Sequence, residues 1–171
     1  MIGLVETQRR GAGPAAFDVE QLFALHEPRL GAFLAQLVRD RDLAEDLLQE
    51  TFASAYRDRD QLASVERAEA WLFAIARNRA VDALRRRTRL RRTIARLASR
   101  SEPSVTVEPA VVEVMDVLER VLTPDDRALV VLRYVHGFDA SAIAEMTGRS
   151  PAAVRKRLER ARGRLAAEVT R

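Results

Sequence analysis

The C-terminal segment TGRSPAAVRKRLERARGRL, residues 147–165, carries a dense positive charge. From Arg149 to Arg164 it contains seven cationic side chains and one acid, Glu159. Small residues among long cations suit a helix that enters the major groove of DNA, where arginine and lysine reach base edges and phosphates. A solvated charged helix would have the same composition, so the surrounding elements must decide between the two.

Turn and capping residues place this segment in a helix-turn-helix. A short helix is predicted to begin at Asp139 or Ala140, and Gly148 supplies the turn after it. Ser150 caps the next helix and Pro151 occupies its first turn, where a missing backbone N–H costs little. The residues predicted to pack where the two helices meet are Ile143, Ala144 and Val154.

A helical wheel at about 100° per residue divides the last helix into two faces. The predicted buried face holds Val154, Leu158, Ala161 and Leu165. The residues predicted to contact duplex DNA, at the turn and along the opposite face, are Arg149, Ala152, Arg155, Lys156, Glu159 and Arg160. Glu159 either accepts a hydrogen bond from a cytosine amino group or forms a helical salt bridge with Arg155 or Arg162. The spacing slightly favours the salt bridge.

An amphipathic segment in the first half, RDLAEDLLQETFASAYR, residues 41–57, presents a polar face. Its predicted buried arc consists of Ala44, Leu48, Phe52, Ala55 and Tyr56. The other face carries Asp46, Gln49, Glu50 and Ala53, with Leu47 beside it. Acidic and amide side chains next to a leucine suit docking onto a basic helix of a partner protein, and a solvated surface is the alternative.

The segment AWLFAIARNRAVDALRRR, residues 70–87, predicts a helix with a basic face. Its predicted core arc holds Leu72, Phe73, Ala76, Ala80, Ala83 and Leu84. The opposite side carries Asn78, Arg79, Asp82, Arg85 and Arg86, together with Trp71 and Ile75. Ten arginines and one acid lie between Arg77 and Arg100. Exposed asparagine and arginine side chains suit contacts with bases and phosphates.

Composition limits the class of protein. The 171 residues include no cysteine and two histidines, and no apolar run is long enough to span a membrane. Disulfides and thiolate metal sites are therefore excluded, no residue set for a cofactor is found, and a cytoplasmic protein is favoured. Helical periodicity dominates without a persistent strand pattern, which predicts an all-α fold.

Proline-rich and polar stretches divide the chain into two small helical domains joined by a flexible linker. Residues 1–16 are predicted to be a disordered tail, 17–98 the first domain, 99–110 the linker, and 111–171 the second domain with the helix-turn-helix. The linker sequence SRSEPSVTVEP contains two prolines and no apolar stripe, as expected for a connecting segment.

Capping signals give the expected helix boundaries in the first domain. Asp18 and Asp42 are predicted to cap the first two helices, and Pro28 to end or kink the first one. The third helix is expected to begin near Ala70 and to lose its apolar pattern after Leu84.

In the second domain, a helix is expected over residues 111–122, and Thr123 should cap the next one, with Pro124 in its first turn. That helix should end at Gly137, whose predecessor His136 would then lie in the last turn. The predicted role of His136 is to complement the helix dipole.

Taken together, AEDLLQETF, WLFAIARNRAVDALRRR and LTPDDRALVVLRYVHGFDASAIAEMTGRSPAAVRKRLERARGRL resemble the extracytoplasmic-function (ECF) sigma factors of RNA polymerase. The resemblance covers residues 17–169. It implies that the first domain binds the clamp helices of core RNA polymerase and opens the −10 promoter element. It also implies that the second domain reads the −35 element as duplex DNA. An anti-sigma factor is an expected partner, and insertion into a membrane is not expected.

Residue by residue, the resemblance assigns polymerase docking to Asp46, Leu47, Gln49 and Glu50. It assigns −10 promoter contacts to Arg77, Asn78, Asp82, Arg85 and Arg86. The loop from Ala63 to Arg67 would lie near an extruded base. The family's frequent Thr-Val-basic-Ser-Arg recognition core is replaced by Ala153-Val154-Arg155-Lys156-Arg157. Lost hydroxyls and added charge imply that the usual −35 preference does not carry over.

Other classes of protein remain as alternatives. A stand-alone LuxR-type helix-turn-helix regulator would explain residues 111–171, and it predicts a dimer on paired half-sites. It leaves the first domain's motifs without a role. A general RNA-binding helical protein would show affinity without promoter preference. An enzyme is disfavoured, because the sequence has no cysteine, no closely spaced histidine pair and no glycine-rich phosphate loop.

Overall fold

The computed structural model describes residues 19–58, 65–94 and 109–170, and every regular element in these ranges is an α-helix. The all-α fold predicted from helical periodicity is confirmed. The helices are α1 Val19–Val38, α2 Arg41–Arg57, α3 Val65–Ile94, α4 Pro109–Val121, α5 Pro124–Tyr134, α6 Ala140–Thr147 and α7 Pro151–Val169.

Several expectations fall on residues outside these ranges. They are the tail over 1–16, the cap at Asp18 and most of the linker over 99–110. At its C-terminal end the predicted linker is too long, because α4 already begins at Pro109. Proline is well suited to a first helical position, where no intrahelical partner exists for the N–H that it lacks.

Helices α1, α2 and α3 pack on one another and form a first lobe. Its centre consists of large apolar side chains with no exposed surface, including Leu30, Phe33, Leu72 and Phe73. The rings of Phe33 and Phe73 lie with their centroids 5.4 Å apart. Burial of each such side chain contributes about 1.5–3 kcal/mol, so these helices are held together mainly by their apolar stripes.

Pro28 does not end α1, which continues through it to Val38. The proline ring removes only the backbone hydrogen bond to the carbonyl of Ala24. Both residues are exposed, so water can donate to that carbonyl instead. The residues of α1 that are buried on its other side pack against the core before and after the proline.

The cap of α2 lies two residues earlier than predicted, at Asp40 rather than Asp42. Arg39 adopts a left-handed backbone conformation with φ 56°, which ends α1 and redirects the chain. Asp40 is then extended, and its carboxylate accepts a hydrogen bond from the backbone N–H of Leu43 at 3.1 Å. The observed cap satisfies a backbone donor in the first turn of α2.

Helix α3 begins earlier than predicted, at Val65 instead of Ala70, and it continues to Ile94 beyond Leu84, where its apolar pattern ends. Arginine is a good helix former, so the arginine-rich end needs no apolar stripe to remain helical. One turn of this extension is supported by Thr88, whose hydroxyl donates to the carbonyl of Leu84 at 2.9 Å.

Helices α4 to α7 form a second lobe around buried apolar residues such as Leu129, Leu132, Ile143 and Val154. The helix-turn-helix is built from α6 and α7, as predicted. The three local features that define it are the Asp139 cap on the Ala142 N–H at 2.7 Å, Gly148 at φ 63°, and the Ser150 cap on the Ala153 N–H at 3.2 Å. The two capping residues and the turn glycine predicted for the helix-turn-helix are therefore confirmed.

The two lobes contact each other through α1 and α3 on one side and α5 and α6 on the other. His136 lies in this contact, which corrects its predicted role. Helix α5 ends at Tyr134, so His136 is past the helix end and is buried against the rings of Phe33 and Phe73. Its Nε2 lies 3.3 Å from the side-chain oxygen of Gln36.

Lowering the pH should weaken the contact between the two lobes, because His136 is buried in that contact and becomes protonated. Burial lowers the pKa of His136 below its ordinary value of 6.5, and the nearby Arg29 lowers it further, while Glu69 opposes the shift. The unfolded chain therefore takes up the proton first as the pH falls. The free energy of unfolding should be unaffected by His136 above that ordinary value and should decrease as the pH falls from it toward the folded-state pKa.

We expect the thermal midpoint, followed by circular dichroism, to fall over this pH range in the wild type. The variant His136→Phe keeps an aromatic ring in the contact but cannot be protonated, so its midpoint should fall less. An equal decrease in both proteins would contradict the assignment.

Candidate nucleic-acid and polymerase interfaces

The helix α7 has a buried apolar face and an exposed cationic face, as its wheel predicts. Val154, Leu158 and Ala161 are buried, and Leu165 is partly buried. All six residues predicted to contact duplex DNA are exposed: Arg149, Ala152, Arg155, Lys156, Glu159 and Arg160. Because the second helix of a helix-turn-helix is the element that enters the major groove, this face can present cations to base edges and phosphates.

Glu159 does not form the salt bridge that the spacing favours. Within residues 109–170, its carboxylate makes no ion pair with Arg155 or Arg162. An acid placed four residues after a base is the weaker orientation for a helical pair, which accounts for the absence of the pair with Arg155. The carboxylate therefore remains exposed on the same face as Lys156.

Asp126, in the first turn of α5, orients part of α7. Its Oδ1 accepts hydrogen bonds from Nε and Nη2 of Arg157 at 2.8 and 2.6 Å. Its Oδ2 accepts one from the Thr123 hydroxyl at 2.9 Å and lies 3.7 Å from a guanidinium nitrogen of Arg164. These hydrogen bonds hold the side chain of Arg157 against the first turn of α5. The sequence contained no signal for this pairing, because an acid in a first turn is explained equally well by the helix dipole.

A groove of about 280 Å³ lies beside this ion-pair cluster. It is lined by Asp126, Arg149, Arg157, Arg160 and Arg164. Four cations face one carboxylate there, so the groove has an excess of positive charge. Guanidinium groups in this arrangement bind phosphate oxygens through charge-assisted hydrogen bonds.

The polar face of α2 is exposed at Asp46, Gln49 and Glu50, as predicted. Glu50 accepts a hydrogen bond from Arg79 of α3 at 2.7 Å, yet more than half of its side chain remains exposed, at 57%. This face therefore presents two carboxylates and an amide toward solvent. It is suited to a basic partner surface.

Two residues of α2 are placed differently from the prediction. Leu47 is buried rather than beside the polar face, and Tyr56 is exposed rather than in the core arc. The buried stripe includes Thr51, whose hydroxyl donates to the carbonyl of Leu47 at 2.7 Å. A wheel based on apolar residues alone omits a threonine whose polar group is satisfied inside its own helix, and this shifts the predicted stripe.

The core arc of α3 is confirmed, since Leu72, Phe73, Ala76, Ala80, Ala83 and Leu84 are all buried. Four of the residues assigned to −10 contacts are exposed: Asn78, Asp82, Arg85 and Arg86. The fifth, Arg77, is not on the exposed face, because only 7% of its surface is accessible. The predicted loop for an extruded base lies partly outside the described residues, and α3 already begins within it at Val65.

Arg77 is buried because it has a carboxylate partner in the other lobe. It donates hydrogen bonds to Asp125 of α5 and to the side chain of Asn78. Burial lowers the pKa of Arg77 from its ordinary value, while the charge and hydrogen bond of Asp125 oppose the shift. Arg85 donates to the other oxygen of the same carboxylate. Asp125 is therefore the residue of this site that was not recognised from the sequence.

The residues that the structure describes contain neither a membrane-spanning helix nor a metal-binding cluster. None of the described helices is long and apolar enough to cross a membrane. Within residues 19–58, 65–94 and 109–170, no group of three histidine, aspartate or glutamate side chains is arranged to hold a metal ion.

Comparison with known protein families gives two matches along the chain. The family model described as sigma-70 region 2 matches residues 22–90, which include most of the first lobe. The model described as sigma-70, region 4 matches residues 114–165, which include the helix-turn-helix.

Individual relatives extend these matches over most of the chain. RNA polymerase sigma factor CarQ of Myxococcus xanthus is 39% identical over 91% of this chain and 90% of its own length. The ECF RNA polymerase sigma factor EcfG of Rhodopseudomonas palustris is 31% identical over 82% of this chain and 78% of its own. The ECF sigma factor SigL of Mycobacterium tuberculosis is 29% identical over 87% of this chain and 89% of its own length.

Solved structures show the same helical arrangement. One is the co-crystal structure of the sigma factor RpoE with the anti-sigma factor NepR from Bartonella quintana. It matches with a TM-score of 0.71 and 29% identity, covering 90% of this chain and 97% of the other. CnrH in complex with the cytosolic domain of CnrY matches with a TM-score of 0.64 and 25% identity, covering 89% and 87%.

The three-helix lobe thus matches region 2 and the cationic helix-turn-helix matches region 4 of the same family. The chain belongs to the ECF sigma factors of RNA polymerase and acts as an alternative sigma factor that directs transcription initiation.

Proposed function

We propose that this sigma factor uses three separate surfaces for three partners. The exposed face of α2 binds core RNA polymerase, the exposed face of α3 contacts the −10 element, and α7 reads the −35 element. The observation that carries the proposal is the division of α7, whose six assigned residues all reach solvent while its apolar stripe is buried.

Polymerase docking rests on Asp46, Gln49 and Glu50. Their side chains are exposed on one face of α2 and carry negative or amide groups, which complement a basic helix. Leu47 has no part in this surface because it is packed inside the first lobe.

Contacts with the −10 element rest on Asn78, Asp82, Arg85 and Arg86, which are exposed on α3. Amide and guanidinium groups are the donors that bases and phosphates of an opened strand require. Arg77 joins this set only when Asp125 releases it, since its guanidinium is buried between the lobes.

Reading of the −35 element divides between two kinds of contact on α7. Lys156 and Glu159 lie on the face opposite the buried stripe, where base edges are within reach, and the free Glu159 carboxylate can accept from a cytosine amino group. The groove beside Arg149, Arg160 and Arg164 binds backbone phosphates, which position the helix without selecting a sequence.

The two domains act as units over residues 17–98 and 111–171, with the linker over 99–110 between them. An anti-sigma factor is a further partner, because one similar structure, that of RpoE, is a sigma factor solved with the anti-sigma factor NepR. The protein works in the cytoplasm, where its polymerase is, and by binding rather than catalysis. A stand-alone LuxR-type regulator would leave the match to region 2 over residues 22–90 without a function.

Run-off transcription tests the proposal as a whole. The purified full chain, mixed with core RNA polymerase, should start transcripts at a limited set of promoters in a genomic promoter library. Core polymerase alone should give no such transcripts. A chain that forms a dimer on palindromic sites, and that leaves transcription by core polymerase unchanged, would instead be a stand-alone regulator.

Substitutions on the exposed face of α2 should weaken polymerase binding without unfolding the protein. We expect Asp46→Arg combined with Gln49→Ala to weaken association with core polymerase roughly tenfold, the equivalent of about 1.4 kcal/mol. Both side chains are exposed, so helicity and thermal midpoint should change little. Glu113→Arg, an exposed charge reversal on α4, is the matched control and should leave the affinity unchanged. Equal affinity of the double variant and the control in a pull-down would contradict the assignment.

On α7, the loss of a base contact and the loss of a phosphate contact should have different effects on DNA binding. Lys156→Ala should cost about 1–3 kcal/mol of binding and relax the preference at one or two bases. Arg162→Ala should weaken binding to all sequences alike and reduce the salt dependence of the affinity. Binding is measured by anisotropy on duplexes that differ at single positions. A change of base preference in the Arg162 variant would mean that the DNA-facing side of α7 is assigned incorrectly.

A further inference from the structure

Arg157 differs from the other cations of α7. Each of those cations is exposed, whereas Arg157 is partly buried, with 20% of its side chain accessible. Its Nε and Nη2 both donate to Oδ1 of Asp126, at 2.8 and 2.6 Å. Because Asp126 lies in the first turn of α5, this pair connects the helix that carries the DNA-facing residues to another helix of the second lobe.

The carboxylate of Asp126 is itself held in place. Its Oδ2 accepts a hydrogen bond from the hydroxyl of Thr123 at 2.9 Å, and the backbone N–H of Asp126 donates to the same hydroxyl oxygen at 3.2 Å. Only 13% of the Asp126 side chain is exposed. A carboxylate that is bound through both oxygens has little freedom to follow a moving guanidinium group, because hydrogen bonds weaken steeply when they are bent. The connection from Thr123 through Asp126 to Arg157 therefore has one preferred geometry.

We propose that Asp126 is a positioning residue for recognition of the −35 element, and that it sets the rotation of α7 about its own axis by holding Arg157. This inference rests on the proposed function of α7. Lys156 directly precedes Arg157 and Glu159 follows two positions later. A rotation of the helix therefore moves both side chains that are proposed to reach base edges. Asp126 acts through Arg157 and does not contact DNA itself.

Apolar packing is a weaker constraint on this rotation than the ion pair. The fully buried face of α7 consists of Val154, Leu158 and Ala161. Attraction between apolar surfaces has no preferred direction, whereas a hydrogen bond does. A recognition contact requires its side chain to be held within about 0.5 Å and 10–20° of the productive geometry. The two hydrogen bonds of Arg157 supply a directional constraint of this kind.

The negative charge of Asp126 supports the same selectivity. In the groove beside α7, its carboxylate faces four guanidinium groups, those of Arg149, Arg157, Arg160 and Arg164. Loss of the carboxylate would leave these four positive charges without a counter-charge in the groove. The attraction to phosphates, which does not depend on the base sequence, would then increase. Asp126 is therefore expected to raise the ratio of specific to non-specific affinity.

The ratio of two affinities tests this role in the full chain. Anisotropy gives the dissociation constants for a labelled −35 duplex, taken from a promoter that the run-off assay identifies, and for a scrambled duplex of the same composition. In Asp126→Ala, binding to the −35 duplex should weaken roughly fivefold or more, as expected when a base contact is lost. Binding to the scrambled duplex should strengthen, and its salt slope should steepen by about 0.9, the value for one further phosphate contact. An unchanged ratio of affinities would overturn the proposal.

Glu113→Ala is the matched control. It removes one carboxylate from the same lobe at an exposed position of α4 that does not line the groove. Its ratio of affinities should equal that of the wild type. An equally lowered ratio in the control and in Asp126→Ala would mean that the loss of charge alone is responsible, and it would overturn the positioning role. Equal weakening on both duplexes in Asp126→Ala, with a lower thermal midpoint, would indicate a role in folding only and would overturn the proposal as well.

Arg157→Lys separates geometry from charge, and it decides the outcome if Asp126→Ala does not fold. Lysine keeps the positive charge, but its single ammonium group cannot reproduce the pair of hydrogen bonds that the guanidinium group makes. Affinity for the scrambled duplex and its salt slope should therefore match the wild type, whereas affinity for the −35 duplex should fall. Wild-type affinity for the −35 duplex in this variant would overturn the proposal.

Failure of this inference can be distinguished from failure of the proposed function. If the wild type binds the −35 duplex and the scrambled duplex with equal affinity, α7 does not read the sequence and the −35 assignment is refuted. If the wild type prefers the −35 duplex and both Asp126→Ala and Arg157→Lys keep that preference, the −35 assignment stands and only the role of Asp126 is overturned.

Discussion

A guanidinium group that leaves water needs a carboxylate partner, and two adjacent aspartates meet this requirement on two sides of α5. Asp125 holds Arg77 and Arg85 of α3, whereas Asp126 holds Arg157 of α7. An unpaired buried charge would cost several kcal/mol, so the positions of α3 and α7 around α5 depend on these two carboxylates. Both lie in the first turn, where the helix dipole also favours negative charge.

Features that depend on near neighbours were predicted from the sequence. The cap at Ser150 bonds a backbone N–H three residues away, and Gly148 is left-handed because glycine has no Cβ to oppose it. The buried stripe of α7 repeats with the period of the helix. The helix-turn-helix and the exposed face of α7 could therefore be predicted without knowledge of any distant contact.

Features that depend on distant partners could not be predicted. Arg77 and Asp125 are 48 positions apart, and His136 reaches Gln36 across 100 positions. Periodicity indicates which face of a helix is buried, but it does not show which charged residue will find a partner there. On α2, Thr51 is buried because its hydroxyl is satisfied locally, and this possibility is not contained in a hydrophobic pattern.

The three proposed surfaces differ in their accessibility, and this difference has a functional consequence. The α7 face and the α2 face are exposed, whereas the α3 face is partly covered by the second lobe. Duplex DNA and polymerase can therefore bind while the lobes are still in contact. Of the residues proposed to contact a strand on α3, Arg77 alone is buried, and it can take part only after Asp125 releases it. Since a single strand becomes available only after polymerase has engaged the promoter, the covered surface is the one that is needed last. Covering it prevents a strongly basic helix from binding other polyanions before that step, at little cost to the earlier ones.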